Sequence, residues 1–267
     1  MSKLEPVFKA AAAENRGVLI GCMPAGFPTV SGGIDAMKTM VDAGTDIVEI
    51  ELAYSDPVMD GPTIQRASEI ALAAGVRTTD VIRSVEAVTS HGGSVILMTY
   101  WNPIEQYGVD RFARDFASAG GAGIVTPDLI PEEAGEWLAA SDAYDLDRIF
   151  LVAPSSTDKR IASTAAASRG FVYATAVMGV TGARDQVSDA APALVSRIRA
   201  ASDIPVGVGL GVRDGAQAAA VAGYADAVIV GSALIGRLLD APDEASGRAA
   251  LSALTAELAK GVRSRAV

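Results

Sequence analysis

Short runs rich in Val and Ile alternate with amphipathic segments along the whole chain, and this alternation restricts the fold more than any other feature. Eight such runs occur, at residues 18–23, 47–52, 94–100, 123–126, 149–153, 171–177, 205–209 and 227–230. Stretches at 32–43, 79–90, 109–119, 158–167 and 215–222 repeat their apolar positions every three to four residues, the helical period. Buried parallel strands separated by helices are what repeated βαβ units require. Eight units favour a closed (β/α)8 TIM barrel over an open doubly wound sheet. Extra helices are expected before the first strand (3–14) and at the end of the chain (244–262), with a short one at 233–239. No linker or charge block divides the sequence, so residues 1–267 read as a single barrel domain, near the usual size of about 250 residues for this class.

That fold directs attention to particular positions. Active sites of such barrels lie at the C-terminal ends of the strands, so a polar residue just past an apolar run is a candidate ligand. Composition removes several other roles. The net charge is −10, and no basic stripe with interleaved aromatics exists to displace counterions from a nucleic acid. No run of about 18 apolar residues suggests a membrane span, and residues 1–17 lack the apolar core of a signal peptide. A single cysteine, Cys22, excludes an intrachain disulfide and suits a reducing cytoplasm. His91 is the only histidine and lies far from Cys22 in sequence, so no His/Cys metal site is expected. A carboxylate-only magnesium site stays open.

One stretch carries most of the chemistry. Glu49 interrupts the second apolar run, where an unpaired charge is costly to bury. Strand alternation puts Ile47, Glu49 and Glu51 on one face and Val48, Ile50 and Leu52 on the other. Asp60 follows in a segment, Ser55-Asp-Pro … Asp60-Gly-Pro, too rich in turn formers to be helical. Two carboxylates at one barrel mouth can divide proton transfer if their pKa values are pushed apart. The structural alternative pairs Glu49 with a base inside the barrel and makes Asp60 a turn cap. Gly207, Gly209 and Gly211 follow the seventh run, and Gly231 with Ser232 follows the eighth and opens a short helix. Barrels commonly bind phosphate there on backbone N–H groups; tight turns are the other use for such glycines. Position 212 is Val, so the dinucleotide pattern G-x-G-x-x-G fails.

Glu49 followed by Ser55-Asp-Pro-x-x-Asp-Gly-Pro-Thr-Ile-Gln65 resembles the signature of the tryptophan synthase α subunit family. Further landmarks stand in order at the strand ends: Pro24-Ala-Gly-Phe-Pro28, Met98-Thr-Tyr-Trp-Asn-Pro103, Pro127-Asp-Leu129, Met178-Gly-Val-Thr-Gly182, Gly207–Gly211 and Val230-Gly-Ser232. The resemblance implies retro-aldol cleavage of indole-3-glycerol phosphate to indole and glyceraldehyde 3-phosphate. It implies acid–base work for Glu49 and recognition of the indole N–H by Asp60. Tyr173 then lies by the glycerol moiety, and Tyr100 and Cys22 border the indole pocket; core packing is the alternative for either tyrosine. Gly182, Gly211, Gly231 and Ser232 form the phosphate cradle, and Thr181 meets the catalytic carboxylate when its loop closes. A β subunit in an α2β2 complex is the implied partner, and pyridoxal phosphate is expected only there, with no cofactor on this chain.

Three positions depart from that pattern. The family has Gly at position 51, Pro at 53 and an aromatic residue at 22, where this chain has Glu51, Ala53 and Cys22. A regular strand puts Glu51 on the inward face, about 7 Å beyond Glu49. A like charge there is expected to raise the pKa of Glu49, crowd the substrate's anionic end and lower turnover. If the strand stops at Glu49 instead, Glu51 turns to solvent or meets a cation. Ala53 removes a rigid φ from a loop that touches the partner in the family. The competing functions are a weakened α-like subunit that mainly activates β, a free-standing lyase, and a different phosphate-binding barrel enzyme.

Overall fold

A computed structural model describes residues 2–175, 190–209 and 211–264. Its strands are β1 (Val18–Pro24), β2 (Ile47–Glu51), β3 (Ser94–Met98), β4 (Gly123–Val125), β5 (Asp147–Ile149 and Leu151–Val152, interrupted at Phe150), β6 (Val172–Thr175), β7 (Val206–Gly209) and β8 (Ala227–Val230). Each pairs in parallel with its sequence neighbour, and β1 also pairs with β8. The first half of β5 bonds to β4 and the second half to β6, so the sheet closes on itself. The expected (β/α)8 barrel is the observed one.

Twelve helices among the described residues surround it: α1 (Glu5–Ala13), α2 (Val30–Asp42), α3 (Pro62–Ala73), α4 (Thr78–Thr89), α5 (Trp101–Tyr107), α6 (Val109–Ser118), α7 (Gly135–Ala143), α8 (Asp158–Ala167), α9 (Ala190–Ala201), α10 (Gly215–Ala222), α11 (Ser232–Leu239) and α12 (Glu244–Arg263). No helix among the described residues is long and apolar enough to cross a membrane.

Period-two alternation along the strands separates two cores. Leu19, Met23, Val48, Ile50, Val95, Leu97, Val172, Val208 and Val228 pack outward with the helices. Val18, Ile20, Cys22, Ile47, Ile96, Val125, Ile149, Phe171, Ala227 and Ile229 fill the barrel interior. Leu4, Phe8 and Ala11 join this inner cluster, so α1 closes the N-terminal end of the barrel, with Phe8 and Phe171 rings 5.8 Å apart. Gly207 is needed on β7 because a Cβ there would meet the Phe171 ring at 2.8 Å.

Two boundaries differ from the sequence reading for identifiable reasons. The fifth strand begins at Asp147, two residues early, because its carboxylate is held inside the fold. Asp147 accepts bonds from Ser2 Oγ (2.8 Å), Leu4 N (3.0 Å) and Arg169 Nε (3.1 Å). The third strand ends at Met98 rather than Tyr100, since Tyr100 is already the N-cap of α5. Asp128 Oδ1, from the loop after β4, accepts from Trp101 N at 3.0 Å and fixes that helix start. The expected end of the sixth strand, at 176 and 177, lies outside the described residues. Replacing Asp147 with Ala is expected to cost about 2 kcal/mol, since it removes the carboxylate that Ser2 Oγ and Leu4 N donate to and one of several bonds of Arg169. Urea unfolding measures this, and an unchanged midpoint counts against the latch.

Candidate active site

The site is built where β1 and β2 run side by side. Their register pairs Cys22 with Glu49 and Pro24 with Glu51, so odd positions of β2 face the interior beside even positions of β1. Glu49 is 1% exposed and accepts a hydrogen bond from Cys22 Sγ at 3.1 Å through Oε1, leaving Oε2 without a partner. Burial pushes its pKa up to about 7, against a smaller lowering by the Cys22 bond. At neutral pH both protonation states are populated, as a group that gives and takes a proton requires. The alternative in which Glu49 pairs with a base is not seen: no ion pair among the described residues includes it.

Glu51 is also buried, at 8% exposure, and one of its oxygens lacks a partner. It shares the inward face as alternation predicts, and the alternative of turning to solvent or meeting a cation does not hold among the described residues. The electrostatic expectation needs correction. Burial, not Glu51, raises Glu49; the carboxyl held well above the usual range is Glu51, through its own burial and then the charges of Asp60 and Glu49. Glu51 therefore resists ionisation and enters the site mainly as bulk.

Asp60 hangs from the loop between β2 and α3. Pro62, at the first position of α3, begins that helix, and Gln65 Nε2 donates to the Asp60 carbonyl at 2.7 Å. The Asp60 side chain is no turn cap. Its Oδ1 accepts from the Tyr100 hydroxyl at 2.8 Å, and that hydroxyl accepts from Val58 N (3.1 Å) and Met59 N (3.0 Å). Tyr100 thus ties the carboxylate and its loop to the end of β3. Burial raises the Asp60 pKa, partly offset by the tyrosine bond. Glu51, Leu52, Asp60, Met98, Thr99 and Tyr100 line one pocket. Tyr100→Phe leaves two loop amides and Asp60 unpaired; a rise in KM for the substrate of about tenfold is expected, worth about 1.4 kcal/mol. An unchanged KM would count against this tether.

Tyr173, on β6, lies close enough to Glu49, Cys22 and Glu51 for their charges to raise its pKa further after burial. Gly209 accommodates it: a Cβ at 209 would fall 2.5 Å from the Tyr173 hydroxyl. Gly211 adopts φ +69°, which suits glycine. Gly231 is the N-cap of α11 and Ser232 its first residue. A Cβ on Gly231 would lie 3.8 Å from both Cys22 Sγ and Glu51 Oε1, so the helix start adjoins the thiol of β1 and a carboxyl of β2. Thr181 and Gly182 lie outside the described residues. Two contributors were not singled out as site residues by sequence. Asp128 fixes α5, and Met98 lines the pocket; the short motifs around them gave position but no role. His91, at the opposite end, pairs with Asp42 at 2.8 Å.

The family model for the tryptophan synthase alpha chain matches residues 8–263. A tryptophan synthase alpha chain from Salinispora arenicola is 66% identical over the full length of both chains. That from Nocardia farcinica is 61% identical, covering 100% of this chain and 98% of the relative. Among solved structures, tryptophan synthase of Mycobacterium tuberculosis superposes with TM-score 0.93 at 59% identity, covering 98% of each chain. The alpha chain of Legionella pneumophila does so with TM-score 0.88 at 31% identity, covering 98% of this chain and 97% of that one.

Proposed function

The chain belongs to the tryptophan synthase alpha chain family, and on that premise we propose how its barrel mouth performs the lyase reaction of the α subunit. The reaction cleaves indole-3-glycerol phosphate to indole and glyceraldehyde 3-phosphate. Glu49 delivers a proton to the ring carbon that bears the glycerol chain. Its carboxylate then takes the proton from the hydroxyl on the adjacent carbon, the carbon–carbon bond breaks, and the aldehyde forms with no net proton change. Asp60 accepts the indole N–H and stabilises positive charge on the protonated ring. The observation that supports this division best is the contrast between the carboxylates. Glu49 keeps an unpartnered oxygen in an apolar barrel, whereas Asp60 is held by Tyr100 at the pocket wall.

Tyr173 borders the glycerol end and Cys22 the inner end of the indole pocket. Gly211, Gly231 and Ser232 receive the phosphate on backbone N–H groups, with Gly182 completing the cradle and Thr181 meeting Glu49 on loop closure. Residues 1–267 act as one barrel domain in the cytoplasm. The partner is a β subunit in an α2β2 assembly, which carries pyridoxal phosphate, while this chain's own chemistry needs no cofactor. Val58, 69% exposed on the Asp60 loop, is placed to report docking. Ala53, on the same connection, gives that loop more backbone freedom than proline would.

The test is indole release from indole-3-glycerol phosphate by the chain alone and with added β subunit, alongside Glu49→Gln and Asp60→Asn. Faster release with β, and loss in both variants, is expected. Wild-type rates in Glu49→Gln would refute the catalytic assignment. Because Glu49 acts first as an acid and Asp60 as an anion, kcat/KM is expected to trace a bell against pH. Its upper limb falls through about 7, the value burial gives Glu49. A profile flat from pH 6 to 8.5 contradicts that order of steps.

A further inference from the structure

The reaction proposed above gives no task to Glu51 and leaves the Cys22 thiol only a packing role, yet the fold brings both against Glu49. Cys22 Sγ and one oxygen each of Glu49 and Glu51 lie within 4.8 Å of one another, and all three residues are buried. A second observation points to a ligand. Glu49 Oε2 and Glu51 Oε2 are both shielded from solvent and both lack hydrogen-bond partners. Unmade bonds on two adjacent buried carboxyl groups are costly, and no ion pair among the described residues relieves them. There is also space beside them. Gly231 leaves open a point 3.8 Å from Cys22 Sγ and from Glu51 Oε1, which a side chain would begin to fill.

We propose that Cys22, Glu49 and Glu51 form a binding site for a borderline-soft divalent cation of the zinc type, at the inner end of the substrate pocket. The donor set selects that class. Burial favours the protonated Cys22 thiol and Glu51 carboxyl in the metal-free chain, so cation binding releases their protons to solvent. The thiolate so formed disfavours magnesium and calcium, whereas one sulfur with two carboxylate oxygens suits zinc or cobalt. Bonds of about 2.3 Å to sulfur and about 2.0 Å to oxygen put tetrahedral ligands about 3.3–3.5 Å apart. Cys22 Sγ and Glu49 Oε1, 3.1 Å apart, are already that close, and no separation in the set exceeds 4.8 Å, so Glu51 has at most about 1.5 Å to close by side-chain rotation. Three protein ligands leave a fourth position for water. Sequence spacing hides this set, because its members come from two strands that meet only through the barrel register. Since Glu49 belongs to both sites, the cation displaces substrate; that consequence rests on the lyase reading, while cation binding itself does not.

The test uses the full chain, treated with a chelator and titrated with cobalt(II). One equivalent is expected to produce a thiolate-to-cobalt charge-transfer band with the strong visible bands of four-coordinate cobalt, and added zinc to bleach both. Cys22→Ser should abolish the charge-transfer band. Glu51→Gln, close in shape, should weaken cobalt binding at least about tenfold. Zinc should also slow indole release by the wild-type chain, reversibly with chelator. No charge-transfer band at excess cobalt overturns the proposal. So does an unchanged cobalt affinity in Glu51→Gln, which decides the matter even where Cys22→Ser folds poorly. The lyase reading fails on a separate result, full indole release by metal-free Glu49→Gln, and the cobalt spectra then stand or fall independently.

Discussion

Glu49→Gln is expected to lower kcat for indole release by about a hundred- to ten-thousandfold, the range usual for removing a positioned acid–base group. Glutamine keeps the shape and can still accept the Cys22 thiol bond at 3.1 Å, but it carries no transferable proton. The same variant should be more stable above neutral pH. The folded pKa of Glu49, about 7, stands above its ordinary value of 4.5, so the folded state binds the proton more tightly than the unfolded chain. Stability from this group is therefore complete below about 4.5 and is lost as pH rises through 7. That loss is on the order of 3 kcal/mol in wild type and absent in the variant. Urea unfolding of both chains at pH 5 and pH 8, in chelator, measures it. A catalytically dead Glu49→Gln with the wild-type pH slope of stability would show that burial does not set the proton affinity of this residue.

Why Glu49 could be found from sequence is clear in its surroundings. A lone carboxylate in a Val- and Ile-rich run breaks the rule that apolar strands exclude charge, and the period of two fixes the face it shares with Glu51. The barrel itself was legible for the same reason: eight apolar runs, apolar on both faces, need helices outside and each other's side chains inside. Asp147 shows where such reading fails. Its charge removed it from the apparent fifth strand, because the bonds that compensate it come from Ser2 and Leu4, more than 140 residues away. Tyr100 failed differently, since its strand-like composition gives no sign that Asp128 starts a helix at the next residue. The Cys22–Glu49 bond depends on register between strands, which no local pattern encodes.

Register also decides what Glu51→Gly should do. At position 51 the side chain enters the pocket lined by Asp60, Met98 and Tyr100, and its Oε1 approaches the Gly231 helix start where phosphate is proposed to bind. Its carboxyl is held protonated by burial and by Asp60 and Glu49, so the first obstacle to substrate is volume rather than charge. One superfluous group in a tight pocket costs about 1–3 kcal/mol, a tenfold to two-hundredfold effect. Glu51→Gly is thus expected to raise kcat/KM at least about tenfold, mainly through a lower KM, because the acid–base group itself is untouched. Glu51→Gln separates the two causes: it keeps the bulk, so its KM should stay near wild type, and a gain equal to that of Gly would assign the obstacle to charge. Glycine costs a strand position about 1 kcal/mol, but removing a buried, half-unbonded carboxyl offsets this. Because the pKa of Glu51 lies above its unfolded value, wild type loses stability as pH rises through the folded value, and Glu51→Gly should flatten that decline. Unchanged kcat/KM in the glycine variant would mean that the side chain leaves the pocket when substrate enters, and that the low-turnover reading of position 51 is wrong.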